Sequence, residues 1–205
     1  MSKRPYQLGL RKAASEQTRQ RILIAAHDLL AAPRGLSAFT IDAVAKQAGV
    51  ARMTIYHQFG SKSGLLEALC DSLAVRGGIQ QMGEVYRQAD PLAALDKLIA
   101  IFGGFWESDR VVIRRLNSLG ALDPELERVL RGRAARRRQH ASALVGRLTE
   151  TLGRPALESF HEAVAILHTL TGFETFDSLA GAKSSPLEIV PLVQRLARAA
   201  LGLAE

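Results

Sequence analysis

Apolar residues recur three and four positions apart along most of this chain, and the alternation that marks strands is scarce. Residues 18–32 carry such a helical face, and Pro33 and Gly35 then end the helix. About nine helices are placed in this way, the first three of them before residue 62. The pattern therefore predicts an all-α fold.

Two short helical patterns flank Gly49 in the segment TIDAVAKQAGVARMTIYHQFGSK, which runs from Thr40 to Lys62. Thr40 is placed to cap the first helix, and Gly49 suits the left-handed conformation of a tight turn. In the second pattern Val50, Ile55 and Phe59 point inward, and Arg52, Thr54, Tyr56 and His57 point outward. One helix would brace another whose polar face enters a major groove, so the segment predicts a helix-turn-helix.

Later helix starts are marked by capping residues that precede apolar positions. They are Ser61, Asp90 before Pro91, Asp123 before Pro124, and Ser185 in the capping box Ser185-Pro186-Leu187-Glu188. The pattern also predicts helices over residues 110–119, over 124–152, and from Pro155 to about Ala180.

Three residues interrupt these helical patterns. Gly77 and Gly78 predict a kink or an early end in the helix that starts at Ser61, because glycine lowers helix stability. Pro191 predicts a kink or a delayed start in the last helix.

The net charge of +7 is concentrated at the N-terminus. Residues 1–62 hold ten lysines and arginines against three acidic residues, whereas the other 143 residues hold seventeen of each. This asymmetry predicts a basic module for a polyanion, joined to a neutral module with another task. The alternative is a surface charge that only confers solubility.

We expect three regions: a flexible basic arm over residues 1–15, a helix-turn-helix domain over 16–62 and a second domain over 63–205. The arm would follow phosphates or the minor groove, or it would be a disordered tail. Its basic residues are Lys3, Arg4, Arg11 and Lys12.

Composition argues against several other classes of protein. Cys70 is the only cysteine, which excludes an intramolecular disulfide and a cysteine-rich metal site. No apolar run reaches the roughly 20 residues that cross a bilayer, and no secretory signal is present, so we expect a cytoplasmic protein with no membrane partner. No catalytic triad, phosphate-binding glycine loop or dinucleotide motif is visible, so we expect neither an enzyme nor a cofactor. His161 and His168 share a helical face but lack a third metal ligand.

Residues 18–73 resemble the TetR family of bacterial transcriptional regulators, most specifically in GVARMTIYHQFGSKSGLL after Ala48. The resemblance implies a homodimer with two helix-turn-helix modules in successive major grooves of a palindromic operator. It also implies a C-terminal helical domain that binds a small-molecule inducer and dimerises. Members typically repress transcription until the inducer reshapes that domain.

Carried onto this sequence, the resemblance assigns phosphate contacts to Thr40, Tyr56 and Lys62. Base edges would be read by Arg52, Met53, Thr54 and His57. Arginine pairs well with guanine O6 and N7, and the methionine side chain suits a thymine methyl group. Each of these side chains could instead be an ordinary core or surface residue. Asp42 stands where some members carry a cation, and it would favour the helix N-terminus or accept from a cytosine amine.

An aromatic cluster in the neutral region is the candidate small-molecule site. Phe102, Phe105 and Trp106 share one helical face beside Gly103 and Gly104, which would allow a ligand or another backbone to approach closely. The candidate polar groups are His140, His168 and Thr171. An ordinary aromatic core is the alternative.

Two further features complete the sequence predictions. The run RGRAARRRQH, from Arg131 to His140, is either a solvated helix face or a contact for the basic module or for acidic ligand groups. The last two helices are predicted to form the dimer interface through Val164, Leu167, Leu192 and Leu196. A sequence-independent DNA-binding architectural protein and a small-molecule enzyme with an incidental basic face remain alternative functions.

Overall fold

The computed structural model describes residues 4–153 and 160–203, with side chains from residue 12 onward. Within these ranges the chain forms α-helices and one 3-10 turn, and no strand. The helices are α1 (Arg4–Ala31), α2 (Gly35–Ala38), α3 (Ile41–Ala48), α4 (Arg52–Phe59), α5 (Lys62–Arg76), α6 (Met82–Arg87), α7 (Pro91–Ser108), α8 (Arg110–Gly120), α9 (Pro124–Leu152), α10 (Phe160–Leu170), α11 (Phe173–Ala180) and α12 (Pro186–Ala200). The all-α prediction is confirmed, with twelve α-helices in the described ranges instead of about nine.

The first helix is longer than the sequence pattern predicts. It begins at Arg4 instead of near residue 18, so the described residues of the predicted arm are helical. Pro5 occupies the first turn, where a missing N–H costs no helical hydrogen bond, and residues 10–17 contain no proline or glycine. Lys3 and the side chains of Arg4 and Arg11 lie outside the described residues.

The first of two compact units comprises residues 1–72 and 114–127. Its buried side chains include Ile22 and Leu30 of α1, Val44 of α3 and Ile55 of α4. Arg115 extends this unit beyond the helix-turn-helix, because its guanidinium donates hydrogen bonds to the carbonyls of Leu30 and Ala32 at the end of α1. The unit thus includes residues 114–127, which are distant in sequence from its other part. No local sequence pattern indicates this.

The second unit comprises residues 73–113 and 128–205. Helix α7 packs closely on α12. The space between them is so small that a Cβ at Gly103 would stand only 2.3 Å from Val190 Cγ2. Gly103 therefore allows the approach of another helix, which was one of its two predicted purposes. At Gly104 a Cβ would meet nothing within 4 Å.

The predicted helix caps are confirmed. Asp90 accepts hydrogen bonds from the N–H groups of Leu92 and Ala93, with Pro91 in the first turn. Ser61 and Asp123 also accept from backbone N–H groups at the starts of α5 and α9. Ser185 and Glu188 form both hydrogen bonds of the capping box at α12. Each cap satisfies backbone donors that a helix N-terminus leaves without intrahelical partners.

Glycine and proline act differently at three interruptions. Helix α5 ends at Arg76, and Gly78 takes a left-handed φ of 79°, so the pair Gly77-Gly78 ends the helix and does not kink it. Helix α12 starts at Pro186 and continues through Pro191, so its start is not delayed. Beyond Phe160 the predicted helix from Pro155 to about Ala180 is two helices, α10 and α11. Pro155 itself lies outside the described residues.

Candidate nucleic-acid interface and aromatic cluster

Helices α3 and α4 form the helix-turn-helix predicted around Gly49. Thr40 Oγ1 accepts from Ala43 N–H at 3.1 Å, and Gly49 takes a φ of 64° with its N–H directed to the end of α3. The apolar face of α3 is buried, as is Ile55 of α4. Val50 and Phe59 are only half-buried. Ile55 is thus the one fully buried side chain of α4 and the main anchor of its inner face.

The outer face of α4 carries the side chains predicted to read base edges. Arg52, Met53 and His57 are exposed, with Met53 62% exposed, whereas Thr54 and Tyr56 are half-buried. A single exposed apolar side chain is common on protein surfaces, and Met53 lies on the face predicted to meet DNA. The outer face of this eight-residue helix therefore presents one cation, one apolar side chain and several hydrogen-bonding groups.

Arg52 is held by two neighbours at the start of α4. Its Nη1 lies 3.2 Å from Asp42 Oδ2, and its Nη2 donates to the Tyr56 hydroxyl at 3.2 Å. These contacts raise the pKa of Arg52, first through the Tyr56 hydrogen bond and then through the charge of Asp42. Asp42 is in the first turn of α3, as predicted, but its carboxylate also pairs with the arginine.

The C-terminal end of α4 is tied to α1. Arg19 Nη1 donates to the Gln58 carbonyl at 3.1 Å, and its guanidinium lies 4.5 Å from the centroid of the Phe59 ring. The Gln58 side chain also donates to Ser15 Oγ at 2.9 Å. Sequence reasoning counted Arg19 only as part of the basic charge. Its contacts show a structural task, since they fix the end of the helix whose face is exposed.

Thr40 and Lys62, which are also predicted to contact phosphate, lie next to helices α3 and α4. Thr40 is exposed at the N-terminus of α3. Lys62 is half-buried at the start of α5, and its Nζ lies 6.0 Å from the Phe39 ring centroid. The cation–π contact orients the ammonium group without neutralising it.

The aromatic cluster is confirmed as a set of packed rings, most of them in the core. Trp106 lies 4.4 Å from Phe105, 6.1 Å from Phe102 and 5.6 Å from Phe173, between ring centroids. Phe102 and Trp106 are buried, and Phe105 is half-buried. Phe173, which the sequence analysis did not select, closes the far side of the cluster.

Thr171 joins this cluster through its carbonyl, not its hydroxyl. The hydroxyl donates within α10, to the Leu167 carbonyl at 2.8 Å. The Thr171 carbonyl accepts from Trp106 Nε1–H at 3.0 Å. That carbonyl is available to the tryptophan because α10 ends at Leu170, before α11 begins at Phe173.

His168 and Arg137 lie at the edge of the same cluster. Arg137 Nη2 is 3.2 Å from His168 Nε2, and the guanidinium carbon is 5.8 Å from the Trp106 ring centroid. Burial lowers the pKa of His168, and the charges of Arg137 and Arg138 lower it further. This histidine is therefore predominantly neutral at pH 7. Arg137 was part of the arginine run, and its position here was not predicted.

His140 belongs to another contact. Its Nδ1 lies 2.5 Å from the Tyr86 hydroxyl, and burial lowers its pKa. The two rings are 5.9 Å apart between centroids. Of the six predicted ligand-binding residues, Phe102, Phe105 and Thr171 contact Trp106 directly, and His168 is joined to it through Arg137. His140 lies beside Tyr86 instead.

The residues predicted for dimerisation divide into two pairs. Val164 and Leu167 are buried within the chain, with Leu167 fully inaccessible, so they contribute to its own core. Leu192 is half-buried and Leu196 is 39% exposed. The periodicity identified apolar positions but could not tell which side of α10 faces its own subunit.

Within the described residues, no helix has the length and hydropathy that a membrane span requires. The same residues hold no cluster of three or more His, Cys, Asp and Glu side chains arranged for a metal ion.

Residues 22–69 match the sequence profile of the bacterial regulatory proteins of the tetR family. Through this region the chain is similar to the TetR family. TtgR of Pseudomonas putida, an HTH-type transcriptional regulator, is 34% identical over 89 residues, which are 43% of this chain and 42% of TtgR. AlkX of Mycobacterium tuberculosis, another HTH-type regulator, is 42% identical over 65 residues, 32% of this chain and 30% of AlkX. The matches thus span less than half of these TetR relatives' length.

Solved structures extend the likeness in fold to nearly the whole chain. NalD of Pseudomonas aeruginosa, the secondary repressor of the MexAB-OprM multidrug efflux pump, superposes with a TM-score of 0.70. The match covers 92% of this chain and 97% of NalD at 23% identity. A TetR regulator of Haloarcula marismortui gives a TM-score of 0.67 over 91% of this chain and 97% of its own, at 16% identity. The chain therefore has the TetR fold beyond the matched N-terminal region.

Proposed function

We propose that the protein is a ligand-responsive transcriptional repressor that binds a palindromic operator as a homodimer and is released by a small-molecule inducer. The observation that carries this proposal is the exposed polar face of α4, held by a buried Ile55 and by Arg19 at its far end. Thr40, Tyr56 and Lys62 would position the duplex, and Arg52, Met53, Thr54 and His57 would read it.

Selection from a pool of randomised DNA duplexes tests this function without knowledge of the operator. We expect an inverted repeat whose half-sites lie about one helical turn apart, since two copies of α4 would occupy successive major grooves. Equal affinity for the selected site and for a scrambled duplex at physiological salt would instead identify a sequence-independent binder.

Two variants separate positioning from reading. Arg52→Ala should weaken the preference at one base pair by about ten-fold, because the guanidinium would pair with a base edge. Lys62→Ala should weaken binding to all sequences alike and lower the slope of log affinity against log salt by about 1. Fluorescence anisotropy with single-base operator variants distinguishes these outcomes, and the reverse pattern would refute the assigned roles.

We propose that dimerisation uses the exposed apolar side chains near the C-terminus in place of the buried Val164 and Leu167. Leu187 and Leu196 on α12 are 54% and 39% exposed. Phe160 on α10 and Leu179 on α11 are also exposed. Exposed apolar side chains are stabilised when a symmetric copy covers them.

Analytical ultracentrifugation tests this interface. The double variant Leu187→Glu and Leu196→Glu should sediment as a monomer, because it would place charges in the apolar contact. Val111→Glu on α8 is the matched control, as Val111 is comparably exposed and lies outside the proposed interface. Monomers in the control, or dimers in the double variant, would contradict the assignment.

The proposed response to inducer begins at Phe105. A Cβ at Gly77 would stand 2.4 Å from Phe105 Cδ2, so the end of α5 rests against this ring. Arg76 Nη2 also pairs with Asp109 Oδ2 at 3.3 Å. A ligand that displaces Phe105 would thereby move the end of α5, whose first residues follow the DNA-binding helices. DNA affinity would fall by the ligand's differential affinity for the two conformations.

Thermal-shift measurements on a metabolite panel, followed by titration of the protein–operator complex, test this response. An inducer should both raise the melting temperature of the free protein and release the operator. A panel member that stabilises the protein through Phe105 and leaves operator affinity unchanged would contradict the proposed coupling.

A further inference from the structure

Arg137 is an arginine whose hydrogen-bonding capacity is incompletely used. It lies on α9, is half-buried, and its Nε is buried without a hydrogen-bond partner in the described residues. A buried polar atom that lacks a partner costs free energy, and the cost is larger for a charged group. An arginine kept in this state is expected to have a partner that the chain does not supply.

The contact between Arg137 and His168 occupies one N–H group of the guanidinium. His168 Nε2 lies 3.2 Å from Arg137 Nη2 and 3.1 Å from the Ala134 carbonyl oxygen. If Nε2 carries the proton it donates to Ala134 and faces another donor at Arg137. If Nε2 is unprotonated it accepts from Arg137, and the Ala134 carbonyl, in the interior of α9, keeps its helical hydrogen bond. The neutral imidazole protonated on Nδ1 therefore satisfies this contact, and Arg137 Nε still lacks a hydrogen-bond partner in the described residues.

The charged groups that face Arg137 leave a positive balance. Burial lowers the pKa of Arg137, and the charge of Glu174 partly offsets that effect. Glu174 lies on the exposed side of α11, and Arg138 adds a second positive charge that acts on His168. Two guanidinium groups and one carboxylate thus surround an imidazole that is mainly neutral.

Arg137 and Phe105 are both half-buried, so part of each side chain remains accessible to a small molecule. The guanidinium also lies over the Trp106 ring, beside the half-buried Phe105. A ligand bound there would meet a cationic fork and an aromatic surface together.

We propose that Arg137 binds the anionic group of an organic acid whose apolar part lies against Phe105 and Trp106. The planar guanidinium matches a carboxylate in a two-point contact, which a neutral amide cannot reproduce. This inference rests on the proposed function and names the chemical class of its inducer. It also assigns part of the arginine-rich run to ligand recognition.

The intrinsic fluorescence of Trp106 provides the test, because this residue is the only tryptophan in the chain. The probes are three matched pairs: benzoate and benzamide, 4-phenylbutanoate and 4-phenylbutanamide, and octanoate and octanamide. We expect at least one acid to bind about ten-fold more tightly than its amide, since the amide lacks the charge. Equal affinity within every pair, or no binding by any acid, would overturn the proposal.

Variants then locate the charge that recognises the acid. Arg137→Gln should abolish the preference for acid over amide, and Arg137→Lys should retain part of it. Arg136→Gln is the control, because Arg136 is the exposed neighbour on the same helix. A preference that survives Arg137→Gln, or is lost equally in Arg136→Gln, would refute the role of Arg137.

DNA binding without any probe separates this inference from the proposed function. Wild type and Arg137→Gln should bind the selected operator equally. If neither binds any DNA, the repressor function fails while the acid-to-amide comparison still stands. If both bind and no acid is preferred, only the inducer class is wrong.

Discussion

Arg52 and Arg137 stand at the two candidate sites, and the chain holds them in opposite ways. Arg52 is exposed and already paired with Asp42 and Tyr56. Arg137 is half-buried, and its Nε has no hydrogen-bond partner in the described residues. The first arrangement keeps a cation aligned in water, where a polyanion can displace the carboxylate. The second keeps a cation poorly solvated, where a small anion gains the most from binding it.

The largest expected effect tests the anchor of the DNA-binding side. Ile55→Ala should destabilise the protein by about 2 to 5 kcal/mol, because it removes a fully buried side chain and leaves a cavity. Met53→Ala, on the exposed face of the same helix, should change stability by less than about 0.5 kcal/mol. Thermal unfolding followed by circular dichroism checks both variants. Similar losses would show that α4 has no inner and outer face.

The next effect tests whether the end of α5 rests on the aromatic cluster. Gly77→Ala should destabilise the protein by about 1 to 3 kcal/mol, because its Cβ would overlap Phe105. Gly104→Ala has open space around its Cβ and lies within α7, so it should stabilise by up to about 1 kcal/mol. Chemical denaturation of the two variants measures the contrast. Equal stability of the two variants would mean that the Phe105 ring moves aside without a cost in free energy.

A smaller effect concerns the pairing of Arg52. Asp42→Asn should raise affinity for all DNA sequences by a few fold, because it removes a negative charge near the duplex and frees the arginine. The preference at the base pair that Arg52 reads should become less sharp, since the guanidinium loses one of its two supports. Anisotropy titrations at several salt concentrations check both effects. Weaker binding would instead favour a direct contact of Asp42 with the bases.

The smallest effect is a pH dependence of stability from His140 and His168. Their pKa values are lowered in the folded protein, so the unfolded chain binds more protons below the ordinary value of 6.5. Stability should therefore fall as the pH drops below about 6.5 and level off once the pH is below the folded pKa values. His168→Gln should reduce this slope in urea titrations at pH 5 to 7. An unchanged slope would place the responsible groups elsewhere.

The features predicted from the sequence are those that neighbouring residues determine. Caps at Thr40, Asp90 and Ser185 were found because a helix start needs its acceptor within a few positions. The turn at Gly49 was found for the same reason, since only its own backbone conformation requires glycine.

The features that were missed depend on contacts far along the chain. Arg19, Arg115 and Arg137 all belong to basic or mixed segments that look solvent-exposed in sequence. Each instead meets a carbonyl or a ring from another helix. Long arginine side chains reach several neighbouring elements, so periodicity does not fix their partners.

The sequence also could not show what each apolar helix face packs against. Val164 and Leu167 were correctly placed on a strongly apolar helix, but their burial within the subunit depends on how α10 packs. Gly103 likewise required the position of Val190 before its purpose could be decided. A helical pattern predicts which side is apolar, and the tertiary structure determines what covers it.

Gly49 and Gly60 enclose α4 between two backbone positions of positive φ, and a Cβ at either would meet nothing within 4 Å. Ile55 is its one fully buried side chain, so most of the eight residues of this helix are not fixed by core packing. Its outward-facing residues could be substituted together without redesign of the surrounding core, as in a binding loop grafted onto a rigid scaffold. New operator specificities should thus be reachable by selection over this one helix.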